Sequence, residues 1–149
     1  MQAHSPTLLK LKQASSVLDL DPKELQNLVQ FNIVSPKMSG DIYLFRTADL
    51  CRALVANALK THLGMKAQNV RTVLDSTHLS WDSLLTTKPA WLSFHVPMRE
   101  GGKEEMEVKL PFRRLASAME RRLGRVALYR DPSTGAQKSQ DGKKSSWLL

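Results

Sequence analysis

Apolar side chains in the first half of the chain recur at helical spacing in four segments. These segments are residues 11–18, 22–31, 48–63 and 66–74. Because residues three and four positions apart share one face of a helix, each segment predicts an amphipathic helix. Between the second and third segments, residues 33–37 and 42–45 are predicted as extended chain on either side of a turn at residues 38–41. The predicted order is therefore helix, helix, two-stranded hairpin, helix, helix.

The ends of two of these helices carry recognisable signals. Asp21, Pro22 and Glu24 form a strong helix start, since Asp can cap free N–H groups, Pro fits the first helical position and Glu completes a capping box. The third helix is predicted to begin with Thr47 as its cap and to stop at Gly64. These signals make the second helix a short, well-defined element.

The pattern changes after residue 76. Residues 77–89 are rich in Ser and Thr and are predicted as a linker with a helical turn at residues 81–85. Strands are predicted at residues 90–96 and 106–110 around a turn at residues 99–103, followed by a helix from Phe112 to Gly124 and a third strand at residues 125–129. Polar residues 131–149, ending in Trp147-Leu148-Leu149, are predicted as a mobile tail. The expected fold class is α+β, with units at residues 7–76 and 90–130.

Composition narrows the classes of partner. The formal net charge is +8, which favours a polyanionic partner, first nucleic acid and then an anionic membrane surface. No apolar run approaches the roughly 20 residues that span a bilayer, and the N-terminus lacks the pattern of a signal peptide. With Cys51 as the single cysteine, an intrachain disulfide is impossible, and a cytoplasmic protein is expected.

The second helix also carries the candidate chemistry. If Leu25, Leu28 and Val29 are buried, the opposite face presents one polar stripe at positions i, i+3, i+4 and i+7. The stripe consists of Lys23, Gln26, Asn27 and Gln30. Amide side chains can pair bidentately with adenine in the major groove, and Lys can reach guanine or phosphate. An ordinary solvated helix face would carry the same types of residue. The order of elements along the chain is therefore needed to distinguish a recognition helix from such a face.

That order resembles the DNA-binding domain of the MerR family and the related excisionase-type domains. The resemblance covers about half of the chain and rests on seven pieces in sequence. They are Leu11-Lys12-Gln13-Ala14, Leu18-Asp19-Leu20-Asp21-Pro22-Lys23-Glu24-Leu25, Ile33-Val34-Ser35-Pro36-Lys37, Tyr43-Leu44-Phe45, Ala48-Asp49-Leu50, Leu63-Gly64-Met65 and Val70-Arg71-Thr72-Val73-Leu74. The resemblance implies a winged helix-turn-helix that binds double-stranded DNA, with the second helix in the major groove.

The departures from that family pattern concern positive charge. Gln26 stands where the family often has Arg, and Met38 and Tyr43 stand in a wing that often carries two arginines. Lys37 and Arg46 flank the wing and are expected to contact phosphate, and Tyr43 is expected among the DNA-binding residues. Arg46, Arg52 and Arg71 are expected to compensate in part for the missing arginines. Fewer phosphate contacts imply weaker binding and a shallower salt dependence.

Two functional interpretations remain open at this stage. One is a sequence-specific DNA-binding regulator, or a recombination accessory factor of the excisionase kind; the other is a non-enzymatic adaptor that binds a protein. No cofactor, metal site or catalytic constellation is expected, because the four histidines are scattered and no positioned nucleophile, acid or base is evident. Residues 90–129 are expected to form a β-β-α-β module that supports a homodimer, either by pairing across a sheet edge or by packing Trp91 and Phe94 against a second copy. The alternative is a monomer in which this sheet packs on the helices of the first half. Arg113, Arg114, Arg121 and Arg122 are either a solvated face, a second phosphate contact or a docking surface for an acidic protein.

Overall fold

The computed structural model describes residues 8–98 and 102–126, and helices alternate there with short strands in a mixed α+β fold. In chain order the elements are α1 (Leu11–Leu18), α2 (Pro22–Gln30), β1 (Lys37–Ser39), β2 (Ile42–Leu44), α3 (Thr47–Leu63), α4 (Ala67–Asp75), a 3₁₀ turn (Trp81–Ser83), α5 (Leu84–Thr87), β3 (Leu92–Pro97), β4 (Glu105–Leu110) and α6 (Phe112–Leu123). The predicted helices and both predicted hairpins are confirmed. The predicted third strand falls mainly on residues 127–129, and that part, like the tail at 131–149, lies outside the described residues.

A short turn joins α1 to α2. Asp19 adopts the left-handed conformation (φ 59°) after α1, and the Leu20 N–H donates to the Ser15 carbonyl at 2.8 Å. The predicted start of α2 is confirmed, because the Asp21 N–H donates to the Glu24 carboxylate at 3.1 Å and Pro22 occupies the first helical position. The turn therefore fixes the direction in which α2 leaves α1.

The hairpin β1–β2 is short and tied to the start of α1. Gly40, with φ at 63°, forms the turn with Asp41, so Met38 and Ser39 lie in β1 and not in the predicted turn. Leu9 and Phe45 exchange backbone hydrogen bonds at 3.0 and 2.7 Å, which extends the pairing beyond β2. Both side chains are fully buried, so this bridge fastens the hairpin to the core.

Helix α3 runs through the core and is apolar around most of its circumference. Its cap is Arg46 and not the predicted Thr47, because the Asp49 carboxylate accepts the Arg46 N–H at 2.8 Å and Thr47 already lies in the first turn. Gly64 ends it in the left-handed conformation, as predicted. The buried apolar side chains of α3 are Leu50, Cys51, Ala53, Leu54, Val55, Ala56, Ala58 and Leu59.

The second half of the described chain packs on the first. The predicted helical turn within residues 77–89 is present, and its Leu84 is buried beside α3. In β3 the side chains alternate between buried and exposed, and β4 pairs with it antiparallel from Leu92 opposite Leu110 to Pro97 opposite Glu105. Helix α6 contacts α1 and α3, and its Phe112 is buried in the same apolar cluster as the side chains of α3. The core is therefore continuous across both halves.

This packing changes the expectation for a homodimer. Phe94 is buried in the core of its own chain and is not available to a partner, whereas Trp91 remains exposed. None of the helices in the described part of the chain combines the length and apolar character that a membrane span requires.

Arg52 links three elements that are distant in sequence. From α3 it donates to the Ile33 carbonyl, it donates to Asp75 at the end of α4 at 2.6 Å, and its guanidinium lies 5.6 Å from the centre of the Trp81 ring. We expect Arg52→Ala to lower the free energy of unfolding by about 2–3 kcal/mol, because it removes two charge-assisted hydrogen bonds and leaves the carbonyl without its donor. Urea denaturation measures this change.

Arg71→Ala is the matched control. Arg71 also pairs with Asp75, at 3.5 Å, but half of its side chain is exposed. Exposed ion pairs contribute roughly 0–1 kcal/mol, so Arg71→Ala should lower the free energy of unfolding by less than Arg52→Ala does. Equal losses for the two variants would contradict the linking role of Arg52.

Candidate nucleic-acid interface

Helix α2 presents the predicted polar stripe on its outer face. Lys23, Gln26 and Gln30 are exposed and Asn27 is half-buried, while Leu25 and Leu28 on the other side are buried. Within the described residues, none of the four stripe side chains makes a hydrogen bond or ion pair with another part of the chain. The stripe is thus a row of donors and acceptors that water satisfies and a ligand can reach.

Helix α2 is held at both ends. At its start the Asp21–Glu24 hydrogen bond and Pro22 fix the first turn. At its end the Leu28 carbonyl accepts from the N–H groups of Ile33 and Val34, at 2.9 and 3.2 Å. Asn32, just before Ile33, takes a left-handed conformation that turns the chain back towards Leu28. A helix fixed in this way presents its outer face with little loss of conformational freedom on binding.

The wing, defined as the β1–β2 hairpin, follows α2 after six residues. Lys37 is exposed at its base, opposite Leu44, and has no ion-pair partner within the described residues. Tyr43 is half-buried, and its ring packs edge-on against Phe45 with 6.1 Å between the ring centres. Met38 lies directly opposite Tyr43 and is 56% exposed.

Arg46 closes the base of the wing. Its guanidinium donates to both Asp49 oxygens, at 3.0 and 3.2 Å, and to the Ser35 carbonyl at 3.0 Å. The hydrogen bond with the buried Asp49 raises the pKa of Arg46. Sequence reasoning placed Arg46 among the phosphate contacts, and the structure shows that Asp49 already balances its charge. A phosphate would have to compete with this pair.

The two further arginines expected to compensate for the sparse wing are also paired. Arg52 and Arg71 both contact Asp75, and only 20% of the Arg52 side chain is exposed. The cations left without a carboxylate partner on α2 and the wing are therefore Lys23 and Lys37. This arrangement could not be foreseen, because Asp75 lies far from Arg52 in the sequence.

A small groove lies between α2 and the last turns of α3. Its volume is about 180 Å³. Its lining residues are Leu20, Glu24, Leu28, Asn57, Lys60 and Thr61. Thr61 donates to Asn57 within it at 3.2 Å. Because its lining mixes polar and apolar side chains, the groove favours no single class of ligand and adds nothing to the polar stripe.

Metal binding depends on how metal-ligating side chains cluster, and thiol chemistry depends on the state of the cysteine. No group of three or more His, Cys, Asp or Glu side chains within residues 8–98 and 102–126 could hold a metal ion. Cys51 is fully buried in α3, and burial raises the pKa of its thiol to about 12, with a smaller contribution from the charge of Glu120. A thiol that stays protonated is a poor nucleophile and a poor metal ligand.

No protein-family model matches the chain, and no curated protein shows significant sequence similarity to it. The geometry of the site therefore carries the functional argument.

The burial of Cys51 makes a testable prediction. Because its pKa in the folded state exceeds the ordinary value of 9.0, its contribution to the free energy of unfolding is present below pH 9 and is lost as the pH rises towards 12. We expect the native thiol to resist alkylation at pH 8 and to react at once in denaturant.

The variant Cys51→Ala provides the control for the pH dependence. Urea denaturation of both proteins should show a constant difference in unfolding free energy below pH 9. Above pH 9 the wild type should lose stability relative to Cys51→Ala. Alkylation of the native thiol as fast as that of the unfolded chain would contradict the burial.

Proposed function

We propose that the chain is a sequence-specific DNA-binding protein that acts as a transcriptional regulator and uses a MerR-like winged helix-turn-helix in residues 7–76. The observation that carries this proposal is the outer face of α2. Four polar side chains lie there in one row, without partners in the described chain, on a helix that is fixed at both ends and followed six residues later by a hairpin. A recognition helix requires these properties.

The stripe supplies groups for reading base edges. Gln26 and Asn27, each with an amide that donates and accepts, would pair with the N6 and N7 atoms of adenine. Lys23 lies in the first turn of α2 and Gln30 at its end, where they would contact guanine or phosphate at the borders of the site. In this arrangement α2 contributes specificity and little charge.

The wing would position the protein on the sugar-phosphate backbone. Lys37 offers an unpaired charge, and the hydroxyl of Tyr43 is a neutral donor on a ring that Phe45 holds in place. Each neutralised phosphate contributes about 0.9 to the salt slope, which is the fall of log affinity with log salt concentration. Two free lysines therefore predict that the affinity contributed by α2 and the wing depends weakly on salt. Residues 90–130 would then support association with a second copy through the exposed Trp91, which widens the DNA footprint.

One observation favours a second candidate function, an adaptor that binds a protein. Met38 and Phe31 are both large, apolar and about half exposed, and they lie on the wing and at the end of α2. Exposed apolar side chains at the centre of a contact surface are typical of protein interfaces. On this alternative, the α2 stripe would form the polar rim.

Selection from a random pool of duplexes, repeated at several salt concentrations, separates the two candidates. An enriched motif supports the DNA-binding regulator. Retention of duplexes without any common motif, and only at low salt, would indicate charge attraction alone and favour the adaptor.

The selected motif allows a test of α2. We expect Gln26→Ala or Asn27→Ala to cost about 1–3 kcal/mol on the motif and much less on random DNA, because an amide pairs with one base and not with the backbone. Fluorescence anisotropy with the two duplexes measures the difference.

The control for these variants is Gln68→Ala. Gln68 is an exposed amide on a different helix, α4, and its replacement should leave both affinities unchanged. Equal losses on the motif and on random DNA for Gln26→Ala and Asn27→Ala would rule out base reading by α2.

The wing is tested through its charge. We expect Lys37→Ala to weaken binding to all duplexes alike and to lower the salt slope by about one unit, since it removes one phosphate contact. Arg46→Ala is unsuitable for this purpose, because it would leave the buried Asp49 without its partner and destabilise the fold.

Lys109→Ala removes the same charge from β4 and serves as the control. Its salt slope should equal that of the wild type. A slope that Lys37→Ala leaves unchanged would place the wing away from the DNA backbone.

A further inference from the structure

Helix α6 and the turn after it carry a concentration of positive charge that the α2 site does not use. Residues 112–126 contain five arginines and a single acidic residue, Glu120. The arginines are Arg113, Arg114, Arg121, Arg122 and Arg125. Arg114 and Arg121 lie on the side of α6 opposite its buried residues, Arg113 and Arg122 lie on the two flanks of that side, and Arg125 follows the helix; together they are named here the α6 arginine face.

The acidic residue within this segment does not offset the arginines. Glu120 pairs with Lys88, whose Nζ lies 2.7 Å from the Glu120 carboxylate oxygen. The two charges cancel, so the five arginines keep their full positive charge. Within the described residues, none of the five has a carboxylate partner.

Two of the arginines are held in place by neutral groups. Arg113 donates through Nε to the Lys88 carbonyl at 2.9 Å, and Arg122 donates through Nε to the Val17 carbonyl at 2.6 Å. A carbonyl orients the guanidinium without neutralising its charge. The terminal nitrogens of both side chains remain without a partner in the described residues, ready to donate to an anion.

The other three arginines are exposed. Arg114 and Arg121 lie seven residues apart on α6, which puts them on the same side of the helix at about 10 Å from each other. Arg125 follows just after the helix and is exposed as well. Three exposed guanidinium groups this close together concentrate positive charge along the chain's last described helix, and such a concentration attracts a polyanion.

The location of the face relates it to α2. The Arg122 hydrogen bond is made to the last turn of α1, just before the turn that leads into α2. Helix α6 also packs along α1. The C-terminal end of the α6 arginine face is therefore fixed beside the α1–α2 unit.

The chemistry of the face selects nucleic acid among polyanionic partners. None of the large apolar side chains exposed in the described residues belongs to α6, and the apolar side of α6, with Phe112 and Met119, is buried. The core of a protein interface is typically apolar, and an amphipathic helix that lies in a membrane interface buries an apolar face. A phosphate backbone needs neither of them.

We propose that the α6 arginine face binds the phosphate backbone of the same DNA, beyond the base pairs that α2 contacts. The proposal rests on the proposed function for α2. It assigns most of the electrostatic affinity to α6 and the base reading to α2, so the sparse charge of the wing is no obstacle to binding.

The test compares a duplex trimmed to the selected motif with one extended by about one helical turn on each side. The variant is Arg114→Gln combined with Arg121→Gln, because both side chains are exposed and neither supports the fold. We expect the salt slope on the extended duplex to fall by about two units and the slope on the trimmed duplex to stay close to that of the wild type. The thermal midpoint of the variant should not change.

The matched control, Lys103→Gln combined with Lys109→Gln, removes two charges from the β3–β4 hairpin. A loss of slope as large as that of the arginine variant would overturn the proposal, since net charge alone would then explain it. An unchanged slope for the arginine variant on the extended duplex overturns it directly. Binding to phosphatidylserine vesicles that depends on Arg114 and Arg121, without an effect on DNA, also overturns it.

These outcomes are distinguishable from failure of the α2 proposal. If selection yields no motif, the same variants are measured on a mixed-sequence duplex of the extended length. A slope reduced by about two units there supports the α6 arginine face while the specific function of α2 fails. If a motif is selected but the arginine variant leaves the salt slope unchanged, the proposal for the α6 arginine face fails and the proposal for α2 stands.

Discussion

The burial of α3 is the constraint on which the rest of the structure depends. Its side chains are buried around most of the helix, and its alanines at 53, 56 and 58 let neighbouring elements approach closely. Helices α1, α4, α5 and α6 and the 3₁₀ turn all contact it. Burial of a leucine contributes about 1.5–3 kcal/mol, so the buried Leu50, Leu54 and Leu59 hold elements from both halves of the chain in one core. The orientation of α2 and of α6 follows from the way α1 packs on this helix.

Local signals were sufficient to predict most of the fold. Asp21, Pro22 and Glu24 mark the start of α2, and Gly64 marks the end of α3, because capping depends on neighbours within one turn. The start of α3 was missed by one residue, since Arg46 takes the cap position with help from Asp49. The turn of the wing was placed too early because β1 is short, polar and exposed, so no alternation of apolar residues marks it.

The candidate site was predictable only in part. The stripe on α2 follows from helical periodicity, because the burial of Leu25 and Leu28 decides which side chains face outward. The state of the arginines does not follow from any local pattern. Arg52 meets Asp75 across two helices, and Arg122 meets the Val17 carbonyl across most of the chain. Such pairings depend on how helices cross, which a single sequence does not reveal.

The distribution of paired and unpaired arginines now gives the molecule two different surfaces. Near α2 and the wing, carboxylates of Asp49 and Asp75 neutralise the arginines and fix the backbone. On α6 the anchoring groups are carbonyls, so the same kind of side chain is held in place and stays charged. A group that must support the fold benefits from a carboxylate, whereas a group that must bind an anion loses affinity to one. Because α1 contacts both α2 and α6, a shift of α1 would move the two surfaces together, and their relative placement is therefore a property of the core.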